Sequence, residues 1–381
     1  MRIEHASPEV IELTPDPFPH WTIKEIKEQP SSTARAINFG GRIFNESNAK
    51  LGGLDERSEE LLKIKNLIIA ACGTSFHAGL FGAKLMRQLQ CFDTIQVIDA
   101  SEFVTSDLPP NCGMLVISQS GETQDVMRAM DTAISSNIPV FSVVNAVGST
   151  ISRKTSCGVY LNAGRENGVA STKAFTSQTA VLSLIAIWFS QNRENRDKEI
   201  FFRRQIVESL LGLPVTIRST ISRTENLCKQ AAQYLLKFSG CFILGKDLGE
   251  SIAKEAALKI KEIGYIQAEG YPGGSLKHGP FALIEEGTPI FLIILDDHEQ
   301  HKMKITAHEV KARKSFNIVI TDLPVSNSLK EISDLIIPIP SDGILTPLVS
   351  IIPFQMIAYY LSVAKGINPD KPRNLAKAVT V

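Results

Sequence analysis

No C-x-x-C pair occurs anywhere in the sequence: six cysteines, Cys72, Cys91, Cys112, Cys157, Cys228 and Cys241, are scattered through 381 residues. Such spacing builds neither a structural zinc site nor a disulfide framework, and a reducing, cytoplasmic setting is expected. Net charge is missing too. Forty basic and forty acidic residues cancel, so no global field draws the chain to nucleic acid or an anionic membrane, and small molecules or proteins are the expected partners. The first twenty residues, broken by acids and prolines, lack the continuous apolar core of a secretory signal. Residues 345–364 do approach membrane length, but Pro347, Pro353 and Gln355 would leave polar groups to satisfy in lipid. A helix buried between domains or subunits is expected there instead. His298, His301 and His308 lie in a charged stretch without a third ligand and are assigned to a solvated loop. No metal or other cofactor is expected.

What the sequence does have is alternation of apolar strands with amphipathic helices. The length exceeds one ordinary core, and the pattern predicts an α/β protein of two units, at 36–215 and 216–364. A lead-in linker with a short helix precedes them at 1–35, that helix starting at Trp21 and ending at Pro30, and a polar tail follows at 365–381. In the first unit the strands are predicted at 64–71, 94–99, 114–117, 140–145 and near Val159, with helices at 76–89, 124–136 and 174–189. A charged stretch at 191–204 reads as a solvated bridge. The pattern then restarts, with strands at 241–244, 289–295 and 318–321 and a helix at 250–265. Such alternation implies parallel sheets with helices on both faces, and ligands at the carboxyl ends of the strands.

Two hydroxyl-rich turns fall at such strand ends, CGTS at 72–75 and SQSGET at 118–123. A helix start with unpaired N–H groups, serine and threonine hydroxyls, and a glycine that admits close backbone approach can cradle a phosphate. Nothing in either turn is a strong base. In the second unit Glu255, Lys259 and Glu262 share one helical face. From spacing alone a surface ion-pair ladder is the favoured reading, but the loop carrying His278 could bring an imidazole to a carboxylate and an amine. Cys72 reads as structural, and His77 as a packed or capping residue, since nothing in their spacing makes them meet.

Taken together, CGTS, SQSGET, NAGRENGVASTKAF at 162–175, ALKIKE at 257–262, LKHGP at 276–280 and PRNLAKAVTV at 372–381 resemble the sugar isomerase half of the glutamine:fructose-6-phosphate aminotransferases. SQSGET alone marks the broader sugar isomerase (SIS) family. The resemblance runs from about Trp21 to the last residue. It implies two SIS domains, a tail closing over the site, and a homodimer that binds fructose 6-phosphate and yields glucosamine 6-phosphate. By that similarity Ser118, Gln119, Ser120 and Thr123 hold the phosphate, with Thr74, Ser75, Val169, Ala170 and Ser171 around the sugar. Lys377 would form an imine at C2, Glu262 would carry a proton between C1 and C2, His278 of the partner subunit would assist ring opening, and Lys259 and Glu255 would complete the site.

The sequence departs from the family pattern at Gly274-Ser275, Gly245-Lys246-Asp247 and Gln267, which flank the site and bear on substrate preference. The full enzymes carry an N-terminal glutaminase domain opening on a catalytic cysteine, whereas the first cysteine here is Cys72. Ammonia from a separate glutaminase is therefore expected. A deaminase of glucosamine 6-phosphate is the second reading. A non-catalytic phosphosugar sensor is the third, and it would not need Glu262, His278 and Lys377 together.

Overall fold

A computed structural model describes residues 13–193 and 198–377. Two five-stranded parallel sheets organise the chain. The first runs in the spatial order Thr94–Asp99, Asn66–Ala71, Cys112–Ser118, Val140–Val144, Gly158–Tyr160. The second runs Gln267–Pro272, Gly240–Gly245, Pro289–Ile293, Phe316–Thr321, Leu335–Pro338. Numbered within each unit, both follow the order 2-1-3-4-5, so each has its topological switch between its first and third strands, where the carboxyl ends open a crevice.

The sequence dictates these elements plainly at the sheet centres. Every residue of Cys112–Ser118 is buried, as befits a parallel strand covered on both faces. The helix after it, Gln124–Ser135, buries Val126, Ala129, Met130 and Ala133, spaced three and four apart along one face. The Lys173–Gln191 helix is buried nearly all round, and its hydroxyls turn back onto its own carbonyls, Thr179 Oγ1 to Phe175 O at 3.1 Å and Ser183 Oγ to Thr179 O at 2.8 Å. The two units meet where the Gly73–Gln88 helix packs on the Leu248–Gly264 helix. The apolar segment Gly343–Ala364 is mostly buried, its Ile351–Ala364 part lying against the Ile200–Leu235, Leu248–Gly264 and Trp21–Lys27 helices.

Several local expectations are corrected. Pro30 does not end the first helix: Trp21–Lys27 stops before Glu28, and Pro30 sits in the first turn of a second helix, Gln29–Ala36, where its missing N–H costs nothing. The described part of the solvated bridge is anchored, with Arg203 buried and donating to Ser47 O and Ser190 Oγ, and Arg193 donating to the carbonyls of Leu62 and Ile64. His301 and His308 lie on the Gln300–Lys311 helix rather than in a loop. Gln267–Pro272 and Leu335–Pro338 are strands the sequence reading missed. Both are sheet edges ending in proline, where half-exposed, polar or short segments carry no continuous apolar signal. The Ile200–Leu235 helix runs unbroken through the expected boundary at 215/216, with Pro214 inside it.

Candidate active site

The first sheet's switch brings the two hydroxyl-rich turns side by side, because Asn66–Ala71 and Cys112–Ser118 are adjacent parallel strands. Ser118 Oγ and Thr123 Oγ1 are 2.9 Å apart, Gly121 N donates to Ser118 Oγ at 3.0 Å, and Glu122 N donates to Ser120 Oγ at 3.2 Å. The Gln119 carbonyl receives the N–H groups of Asn145 and Ala146, which ties the turn to the next strand's end. Gly121 has φ +67°, and a Cβ there would fall 2.0 Å from Ser149 Oγ, so this position requires glycine. Thr123 precedes the Gln124–Ser135 helix without capping it. The first-turn N–H groups, which have no partner inside a helix, thus receive no hydrogen bond from the Thr123 side chain.

At the neighbouring strand end the helix starts earlier than expected, at Gly73, so Thr74 and Ser75 occupy its first turn. Ser75 Oγ accepts from the buried Gln178 amide at 2.8 Å. Thr74 Oγ1 donates to Glu255 Oε1 at 3.0 Å and receives Lys259 Nζ at 3.0 Å. The shared helical face of Glu255, Lys259 and Glu262 is no surface ladder. Lys259 is sealed from solvent, 3.4 Å from Glu255 and 2.6 Å from Glu262. Burial opposes its charge, but the two carboxylates outweigh that and raise its pKa above the ordinary lysine range.

The imidazole that joins this network is that of His77, not His278. His77 Nδ1 lies 2.8 Å from Glu255 Oε2, a pairing hidden in the sequence because the two residues are separated by most of a domain. His278 ends the short Gly273–His278 segment, exposed and without a hydrogen bond or ion pair to any described residue. Cys72 stays unactivated: burial and the nearby Asp99 push its thiol up to about 12.

Lys377, on the tail, lies 2.6 Å from Glu166 Oε2. Ser171 Oγ donates to the same oxygen at 2.8 Å, and the N–H groups of Thr172 and Ala174 donate to Oε1 at 2.9 and 3.1 Å. Burial works against the Glu166 charge, yet Lys377 and these donors hold its carboxyl down at about 2. Behind it Glu25, buried and faced by Glu166, is pushed up to about 8 while accepting from the N–H groups of Asn167 and Gly168. Of the loop residues expected around a sugar, Ala170 is buried, Val169 is half-buried and donates its N–H to Asp370 O at 3.1 Å, and Ser171 is engaged as above. Glu166 lies within the NAGRENGVASTKAF motif, but a glutamate between glycines gives no hint that a tail more than 200 residues away will meet it.

Comparison with known proteins fits this geometry. The SIS domain family matches residues 60–188 and 235–365, one match over each sheet. The glutamine–fructose-6-phosphate aminotransferase [isomerizing] of Methanosarcina acetivorans is 38% identical over 96% of this chain, which spans 58% of that relative. The protein of the same name from Bacteroides thetaiotaomicron is 37% identical over 96% of this chain, which spans 59% of it. Among solved structures, the C-terminal domain of glucosamine-fructose-6-phosphate aminotransferase from Francisella tularensis is similar at TM-score 0.84 and 29% identity, covering 94% of this chain and 100% of that one. The chain thus spans under three fifths of the length of these two relatives. With both halves matched and both built on one strand order, the chain belongs to the SIS domain family.

Proposed function

We propose that this chain converts fructose 6-phosphate and ammonia into glucosamine 6-phosphate. The observation that carries the reading is that a tail lysine, Lys377, pairs with Glu166, a buried carboxylate whose charge reaches Lys259 in the Glu255–Lys259–Glu262 network. The names of the relatives support it. In this reading the turn at Ser118, Gln119, Ser120 and Thr123 takes the phosphate, and Thr74, Ser75, Val169, Ala170 and Ser171 surround the sugar. Lys377 adds its amine to the C2 carbonyl and expels water as an imine forms. Ammonia then adds at C2 and displaces the Lys377 amine, leaving an imine of ammonia, and Glu262 takes a proton from C1 of that imine and returns it to C2, so that C1 becomes the aldehyde carbon and C2 carries the free amine; a carboxylate on a rigid helix is suited to shuttling one proton between adjacent carbons. Lys259, fixed between two carboxylates, holds Glu262 in place from 2.6 Å.

The working form is a homodimer in which His278 of one subunit assists ring opening in the other; its exposure and its lack of side-chain partners among the described residues support that role. A glutaminase supplies the ammonia. The compartment is the reducing cytoplasm, in keeping with six unpaired thiols. The test is incubation of the pure protein with fructose 6-phosphate, with and without ammonium, following glucosamine 6-phosphate and glucose 6-phosphate. Synthesis with ammonium is expected. Binding without turnover in either direction refutes the proposal, and turnover confined to deamination of glucosamine 6-phosphate replaces it with the hydrolytic reading.

A further inference from the structure

We propose that Glu166 is the dock for Lys377, a positioning residue whose carboxylate folds the tail over the crevice and sets the amine where the sugar carbonyl arrives. The inference rests on the proposed function only for what Lys377 then does.

Three pins hold the tail. Asp370 accepts the N–H groups of Trp21 and Thr22, each at 2.8 Å. Arg373 donates its N–H to the Tyr265 hydroxyl at 2.6 Å, with its guanidinium 4.5 Å from that ring's centre. Lys377 on Glu166 is the third. The first two fix the chain's path, and the third aims the side chain.

Glu166 is built to stay put. Its side chain is 1% exposed, and one oxygen is saturated by two N–H groups at the start of the buried Lys173–Gln191 helix. The other oxygen is left for Ser171 and Lys377. Competing charges nearby are already committed. Lys173 pairs with Glu28 at 2.7 Å, Lys259 pairs with Glu255 and Glu262, and Glu25 is occupied by the N–H groups of Asn167 and Gly168. Among the described residues Lys377 is therefore the one cation in direct contact with Glu166. Docking also holds the amine back, because Nζ engaged at 2.6 Å by the Glu166 carboxylate must leave it before reaching another group. A sugar that engages Ser171 loosens one of the two bonds on that oxygen, so substrate arrival and release of Lys377 are coupled through a single atom. On imine formation the carbonyl oxygen leaves as water with two of the three ammonium protons, and the iminium that remains still faces the Glu166 carboxylate.

The experiment is site-resolved labelling of lysines with trinitrobenzenesulfonate, without sugar, on the wild-type chain and on Glu166→Gln. Glutamine keeps an acceptor for the Thr172 and Ala174 N–H groups and removes the charge. Lys377 should label roughly tenfold faster in the variant at the same pH, equivalent to losing an ion pair of about 1.4 kcal/mol, while the exposed Lys371 on the same tail labels unchanged. Equal Lys377 rates in the two proteins overturn the dock. If Glu166→Gln fails to fold, the wild-type comparison decides: Lys377 must label more slowly than Lys371, and equal rates overturn the proposal. Borohydride trapping with fructose 6-phosphate then separates the two ideas. No adduct on Lys377 with the labelling difference intact sinks the proposed reaction and leaves the dock standing.

Discussion

Replacing Lys259 by Met removes the cation at the centre of the buried network and leaves two carboxylates with different recourse to solvent. Glu262 has a side chain 21% exposed and can regain water. Glu255 is fully sealed, and without Lys259 it keeps only the Thr74 hydroxyl and the His77 ring. Removing one partner of a buried pair costs about 3–5 kcal/mol because the other charge is stranded, and the cost here falls on Glu255. Lys259→Met should therefore be destabilised by roughly that amount in urea denaturation, whereas Lys259→Met with Glu255→Gln should recover about half of it, since neutralising the stranded group is the remedy. Both variants should be inactive, because Glu262 has lost the group 2.6 Å away that aims it. A single variant losing less than about 1 kcal/mol, or a double variant no more stable than the single one, would show that the network is screened by solvent and the reasoning wrong.

Asp342 lines a cavity of about 410 Å³ with Glu208, Thr216 and Ser341, and burial pushes its carboxyl up to about 7 from an ordinary 3.8. The native state holds that proton more tightly than the unfolded one, so the stability is present below pH 4 and lost as pH rises to 7, by roughly 4 kcal/mol. Asp342→Asn keeps an acceptor for Thr216 and should raise the thermal midpoint at pH 8 but not at pH 4; an equal change at both pH values contradicts the assignment. Gly121→Ala should cost at least about 1 kcal/mol, from its positive φ, and abolish phosphate-ended sugar binding by calorimetry, because its methyl collides with Ser149. Mixing inactive His278→Ala with inactive Lys377→Ala should restore about a quarter of the wild-type activity if subunits exchange freely, since half the dimers are mixed and each has one intact site. No recovery after verified exchange counts against sharing of His278.

The alternation of apolar strands with helices at 64–145 was legible element by element, to within a few residues at the ends, because central parallel strands are apolar on both faces and their helices keep a strict face. The edge strands Gln267–Pro272 and Leu335–Pro338 were not, since half-exposed backbone tolerates glycine and proline and erases the pattern. The Ser118–Thr123 turn was legible for the same local reason: its glycine, hydroxyls and helix start are consecutive. The charged face of Glu255, Lys259 and Glu262 could be placed on one side of a helix, but spacing could not say whether that side met water or protein.

Only tertiary packing decided that question, by closing the Gly73–Gln88 helix onto it and handing Glu255 to Thr74 and His77. It also joined Lys377 to Glu166 across the length of the chain. The sequence by itself determined the repeated α/β unit and the hydroxyl-rich turn at a strand end, because both depend on neighbours a few residues apart. Which carboxylate meets which amine depends on long-range closure of two domains and a tail, and local periodicity carries no record of it.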